Sequence, residues 1–200
     1  IEGINNLALS ARGGKTSLNG VYQIYSMYIA PGATLAGNGS YTLNRDGYFV
    51  NNGILTPGNS YGQITIAGNY QQGDSGQLLL EVDGHGGHDT LKIDGHAQLG
   101  GQLTFVPQPG WYAADWRLDS QALLPAASYS GQFSEVNSLH SSPTLALRAA
   151  SLKGNGLQFT MQRAANAYSQ YAPGDNARRA GEALDKIVSI ADSDIQPLYR

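Results

Sequence analysis

The chain has 200 residues, 26 of them Gly and 14% charged, a balance far from that of a helical bundle and suited to a turn-rich β protein. A net charge of −3 with no run of Lys or Arg argues against nucleic acid or an anionic membrane surface as a partner. The absence of Cys excludes disulfides, thiol catalysis and Cys-ligated metals, and leaves nothing to lock a chain that crosses an oxidising space through a narrow pore.

Ile1-Glu2-Gly3 is followed by no basic segment with an apolar run, and nowhere do about 20 apolar residues stand together as a membrane helix requires. The chain therefore reads as part of something longer. From Ile4 to about Val106, short alternating apolar runs separated by Gly, Asn and Pro predict short strands. "MYIAPGATLAGNGSYTL", "GYFVNNGILTPGNSYG", "QITIAGNYQQGDSGQLLLEV" and "DTLKIDGHAQLGGQLTFV" carry the pattern. Ile64 and Ile66 with Tyr70, then Leu91, Ile93, Leu99, Leu103 and Phe105, form its apolar side, so each run buries one face. Strands this short need a neighbour of the same kind, and a turn-strand unit recurs about every 20 residues. "APGATLAGNGS" (Ala30 to Ser40) and "TPGNSYG" (Thr56 to Gly62) read as echoes of one another. The expectation is an all-β chain in which residues 1–106 stack as the rungs of a parallel β-helix, a solenoid. A β-sandwich is the runner-up, kept open by the Asn52-Gly53, Asp46-Gly47, Asp83-Gly84 and Asp94-Gly95 steps.

Residues 107–163 differ in character. "PQPGWYAADWRLDSQALLPAASYSGQFSEVNS" concentrates Trp111, Tyr112, Trp116, Tyr129 and Phe133. "TLALRAASLKGNGLQFTMQ" reads as a β-hairpin, with Leu145 and Leu147 on one strand, Leu157 and Phe159 on the other, and Lys153-Gly154-Asn155-Gly156 as the turn. A stack of rungs ends in unpaired edges and exposed interior, so this sandwich-like, aromatic segment reads as its cap. Packed against Leu103 and Phe105, each large ring contributes about 2 to 3 kcal/mol, which makes this end the most stable part of the stack. Residues 164–200 turn to helix. "PGDNARRAGEALDKIVSIADSD" places Ala177, Ala180, Leu184, Ile187, Val188 and Ala191 at three- and four-residue spacing behind Asp175 and Asn176, which suit an N-cap. A shorter helix is expected at Ala164 to Tyr171, ended by Pro173-Gly174.

Several of these phrases, in order, resemble those of the type Va autotransporters of Gram-negative bacteria. "NNGILTPGNSYGQITIAGNYQQ" is similar to that family's "G.L.PGNS.G.L...GNY.Q", and "GHDTLKIDGHAQLGGQL" to its "SD.L.V.G.A.LGG.L". "PGWYAADWRLDSQA", "YSGQFSEV", "GNGLQFTMQR" and "DNARRAGEALD" stand where it has "G.Y..G..Y.IL.A", "VSG.F..V", "N.L.L...R" and "NQ..VA.ALD". Arg178-Arg179, Trp116 and Asp119 depart from the pattern, and the N-terminal part follows it only loosely. The resemblance implies a right-handed parallel β-helix stem whose C-terminal cap serves as autochaperone, then a helical linker leading into an outer-membrane β-barrel that is not in this chain. It implies as partners that barrel, the upstream passenger, the outer-membrane assembly machinery and periplasmic chaperones, and it implies a location at the cell surface or in the secreted fraction. Cargo upstream of Ile1, such as a subtilisin-like protease or an esterase, would carry any enzymatic activity.

The chemical motifs point less far. "GDSG" (Gly73 to Gly76) matches the surroundings of a trypsin-like nucleophile, but His85, His88 and Asp89 lie only ten to fourteen residues downstream of Ser75, and a trypsin-like triad draws its members from distant segments. Ser75 therefore reads as part of a polar turn, and no catalytic residue or cofactor is assigned. "GHGGHDTLK" comes one residue short of a calcium nonapeptide, and one copy does not build a site between two turns. His85, His88 and Asp89 are weak metal candidates, with a solvated loop as the expected reading. Tyr22, Tyr25 and Tyr28 could form an exposed aromatic ladder for a glycan or host protein, against the alternative of rung packing.

Overall fold

The computed structural model describes residues 6–58, 61–110, 112, 117–119, 123–139, 145–153, 156–163, 168–170 and 172–186. The alternating segments form strands that close into triangular turns. The first turn holds β1 (Ala8–Ala11), β2 (Gly14–Ser17) and β3 (Val21–Ile24), and the second β4 (Ser26–Ile29), β5 (Ala33–Gly37) and β6 (Ser40–Leu43). The third holds β7 (Tyr48–Asn51), β8 (Ile54–Pro57) and β9 (Gln63–Ala67), and the fourth β10 (Asn69–Gln72), β11 (Gln77–Val82) and the first half of β12 (Thr90–Leu99). Each strand pairs in parallel with its counterpart in the next turn, as at Tyr22 beside Tyr41 or Leu35 beside Leu55. The molecule is a parallel β-solenoid of about 4 turns, and a sandwich of hairpins is ruled out for this part.

Three faces result. Face 1 runs β1-β4-β7-β10 onto the second half of β12; face 2 runs β2-β5-β8-β11 and then β13 (Gln102–Pro107); face 3 runs β3-β6-β9 onto the first half of β12. β12 passes round a corner without a break, and its pairing shifts between Ile93 and His96 where it leaves one face for the other. Stacking continues past Val106, beyond the expected boundary: β15 (Ala126–Gly131) lies parallel to β12, and β16 (Glu135–Ser138) parallel to β13. Equivalent positions move apart along the stack, from 19 residues at Asn19 and Asn38 to 27 at Asn69 and His96 and 33 at Thr104 and Asn137. The longer turns accommodate loops at the corners, which is why a fixed repeat near 20 residues fits only the N-terminal turns.

Alternation decides what lies inside. On face 2, Leu35, Leu55, Leu78 and Leu103 stack in one fully buried column, each contributing on the order of 2 kcal/mol by leaving water. An aromatic row crosses the interior: Tyr22 stacks on Tyr41 at 5.3 Å, Tyr41 meets Phe49 edge-on at 5.2 Å, and Phe49 meets Tyr70 at 5.9 Å. The interior also holds polar groups. Asn51 Nδ2 donates to Tyr70 Oη and to the Gln77 carbonyl, Tyr70 Oη donates to Gln72 Oε1 at 2.7 Å, and Gln72 Nε2 donates to the carbonyls of Gly100 (2.9 Å) and Gln102 (2.8 Å). This chain of bonds satisfies carbonyls that the sharp corners turn away from the ladders, and so removes the penalty of burying them.

The ends of the stack differ. At the N-terminal end an open cavity of about 570 Å³ is lined by Leu7, Leu9, Leu18, Val21, Ile24 and Met27. At the other end, Leu123 and Leu124 are fully buried, and Tyr129 Oη donates to the Leu124 carbonyl while accepting from Ala126 N. Beyond them β14 (Arg117–Asp119) and β17 (Leu145–Lys153) both pair antiparallel with β18 (Gly156–Arg163), the expected hairpin plus one strand. α1 (Asp175–Asp185) follows, and the further periodic positions Ile187, Val188 and Ala191 lie outside the described residues. Its N-cap is Gly174, at φ 82°, with no side-chain cap; Asp175 and Asn176 instead lie in the first turn, where Asp175 pairs with Arg178 at 3.1 Å.

Candidate functional site

The two phrases most specific to the sequence resemblance meet at one corner, between faces 2 and 3. Pro57-Gly58 and Tyr61-Gly62, from "PGNSYG", flank the corner of the third turn, and "GHDTL" supplies that of the fourth. Gly58, at φ 92°, reverses the chain after β8, and Tyr61 has a φ of 31°. Gly62 then passes so close to Gly58 that a Cβ on it would stand 2.1 Å from Gly58 Cα and 2.1 Å from Asn38 Oδ1. The turns on either side clamp this loop. Asn38 Oδ1 accepts from Gln63 N at 3.1 Å, and from the opposite side Asp89 Oδ1 accepts from Gly62 N at 2.8 Å. Asp89 Oδ2 accepts from Glu81 N at 2.8 Å.

Asp89 is fully buried, not part of a solvated loop as expected. Burial pushes its carboxyl up to about 6; the Glu81 charge adds to this, while the Glu81 and Gly62 amides and His88 act against it. Asp83, a few residues earlier, goes the other way. Burial alone would raise it, but hydrogen bonds from Tyr61 and the amides of Gly87 and His85, with the nearby His85, hold it below the usual carboxylate range. Its Oδ1 accepts from Gly87 N at 2.7 Å and His85 N at 2.8 Å, closing the loop between β11 and β12. Burial and then Asp83 push the Tyr61 hydroxyl upward, and burial and Asp83 likewise push Tyr112 up to about 12.

The metal candidates do not converge. Both Asp89 oxygens are engaged by backbone amides, and His88 Nδ1 lies 2.9 Å from the Asp89 carbonyl oxygen and 3.3 Å from Thr90 Oγ1. Among the described residues no group of three or more His, Asp or Glu side chains is placed to hold a metal ion. Ser75 turns the corner between faces 1 and 2, where its Oγ donates to the Asn52 carbonyl at 2.9 Å. The next turn lays "LGG" on this corner, with Gln102 N donating to the Gly76 carbonyl. The tetrapeptide is thus part of the stacking.

The tyrosines divide. Tyr22 points inward onto Tyr41, Tyr25 is exposed at a corner, and Tyr28 stands on the outside of face 1 between the buried Met27 and Ile29. They do not form one ladder. Of the cap residues, Leu103, Phe105, Tyr112 and Phe133 belong to the core and Tyr129 packs against it. Leu145 and Leu147 sit on β17 and Leu157 and Phe159 on β18, while Trp111 and Trp116 lie outside the described residues. On α1, Ala180 is exposed and Leu184 half-buried. A feature the sequence reading missed ties this helix down: Asp185 accepts from Tyr168 N (2.9 Å), Ser169 N (3.1 Å) and Ser169 Oγ (2.5 Å). Gly181 lets the 168–170 turn approach, since a Cβ there would stand 2.7 Å from Ser169 Cα. Residues 168–170 form a turn where a short helix was expected.

No family model matches the chain, and no curated protein matches it significantly. The functional reading therefore rests on the molecule itself.

Proposed function

We propose that this chain is the C-terminal passenger stem of an autotransporter, in which the segment after Val106 acts as autochaperone and residues 164–200 begin the linker toward an outer-membrane barrel. On this reading it works on its own polypeptide, promoting folding during export and displaying upstream cargo at the cell surface. The observation that carries the reading is the change of architecture along the chain. The parallel rungs reach β15 and β16, and there they meet β14, β17 and β18, which pair antiparallel with one another and are not rungs. Rungs add by nearest-neighbour contacts, so a C-terminal end that emerges first can template each following turn and draw the chain outward without ATP. The clamped corner supports the same idea, because Asp89 in the fourth turn fixes the backbone of Gly62 in the third. The test is deletion of Gly101 to Arg163 within the full reading frame, followed by protease treatment of intact cells. The reading requires that the upstream passenger fail to reach the surface in a protease-resistant form; normal display would leave this segment as a cap alone.

A further inference from the structure

The three faces differ in charge. Face 2 carries Lys15, Glu81 and Glu135 outward, and face 3 carries Lys92 and Asp94, paired at 3.8 Å. Among the described residues the outward positions of face 1 hold no Lys, Arg, Asp or Glu; charges stand only at the corners that flank it, Arg45, Asp46 and Asp94 on the side of face 3 and Arg12 and Asp74 on the side of face 2, with Arg12 Nε donating to Ser10 Oγ at 3.2 Å. One outward column reads Tyr28, Val50, Gln71, Gln98 and Ser130 by register. Beside it run Tyr48 and Asn69, paired in register, then His96 and Ser128, also paired. Tyr48 is 47% exposed.

The polar groups of this face are held in place. Asn69 Oδ1 accepts from His96 N at 2.8 Å, and the His96 ring is fixed between Ser128 Oγ and Ser130 Oγ, each 2.7 Å from one ring nitrogen. Gln71 and Gln98 stand side by side on neighbouring strands. Parallel strands repeat about every 4.8 Å, close to the length of one β-linked sugar residue, so successive rungs can offer the same contacts to successive residues of an extended glycan. Tyrosine supplies a flat apolar ring for the C–H face of a sugar with little entropy to lose, and amides and hydroxyls match sugar hydroxyls as both donors and acceptors. A face without charge gives an anionic or cationic chain nothing to neutralise it.

We propose that face 1 is a binding surface for an uncharged, extended oligosaccharide, with the ring of Tyr48 as its platform, Gln71 and Gln98 as its polar contacts, and the fixed His96 ring beside them as a reporter of binding. This goes beyond the stem reading and does not depend on it, because it concerns the side of the solenoid and not its ends. The test is nuclear magnetic resonance on the whole chain, titrated with cellopentaose and chitopentaose up to about 5 mM, a range that detects weak binding. A galacturonic acid pentamer serves as the charged control. The expected result is selective shifts of the Gln71 and Gln98 side-chain amides and the His96 ring with a neutral pentamer and none with the charged one. Tyr48→Ser and Gln98→Lys should each weaken binding about tenfold or more, and Thr65→Ala on face 3 should not. The proposal is overturned if neither neutral pentamer shifts these groups, if the charged pentamer binds equally, or if the variants bind as the parent does. It is also overturned if sedimentation shows a dimer that Tyr48→Ser dissociates while the pentamers leave face 1 unperturbed, since the occupant is then a second copy of the chain.

Discussion

Replacing Asp89 with asparagine isolates the charge at the clamped corner. The Asp89 carboxyl sits at about 6 in the folded chain against an ordinary value of 3.8. A raised carboxyl favours its protonated form on folding, so its stabilising contribution is complete below 3.8 and is lost as pH rises through about 6. The gap of roughly two units, at about 1.4 kcal/mol per unit, corresponds to about 3 kcal/mol of stability lost between pH 3.8 and pH 7. Asp83 has the opposite sign, with stability present above the ordinary carboxylate value and lost as pH falls through its lowered folded value, so its effect lies at the acid side of that window. Asp89→Asn keeps the size of the side chain but sets an amide donor against one of the two backbone donors, Gly62 N or Glu81 N, at a cost of about 1 to 3 kcal/mol that does not vary with pH. Urea unfolding followed by circular dichroism from pH 4 to pH 7.5 gives both free energies. The variant should be clearly less stable at pH 4, and the difference should move by about 3 kcal/mol in its favour by pH 7, so that it vanishes or reverses; titrating groups that do not interact with Asp89 cancel in the comparison. A difference constant across the range would refute the assignment of a raised carboxyl to this corner.

Three further outcomes follow from the same geometry. Gly62→Ala should cost about 3 kcal/mol or more in urea unfolding, because its Cβ meets backbone at 2.1 Å, whereas Gly13→Ala, with nothing within 4 Å, should stay within about 0.5 kcal/mol. Gln72→Leu strands the Gly100 and Gln102 carbonyls and should cost about 3 kcal/mol, and combining it with Tyr70→Phe should cost less than the sum, since both remove one shared bond. Asp185→Ala should speed hydrogen exchange at the Tyr168 and Ser169 amides by about tenfold while leaving β11 and β13 unchanged, because it removes the acceptor of both amides.

Much of the solenoid is written in local alternation. Ile64, Ile66, Leu91, Ile93, Leu103 and Phe105 all lie inside, as their spacing predicts. What alternation does not carry is which corner a turn occupies. Pro31-Gly32 leads into β5 while Pro57-Gly58 leaves β8, so the apparent echo joins two different corners. The polar interior is hidden for a related reason. Asn51, Gln72 and Asp89 look like surface residues in a Gly-rich sequence, and only the register of the stack reveals the backbone groups they satisfy. The uncharged character of face 1 is equally invisible along the chain, since its residues come from strands separated by whole turns.

The directional account of folding is tested most directly by pulsed hydrogen exchange during refolding. Amides of β13 and β16 should become protected first, followed by β11, β8 and β5, with β2 last, because each turn needs its C-terminal neighbour as a template. Protection that begins at β2, or that appears at the same rate in all turns, would contradict templating from the capped end.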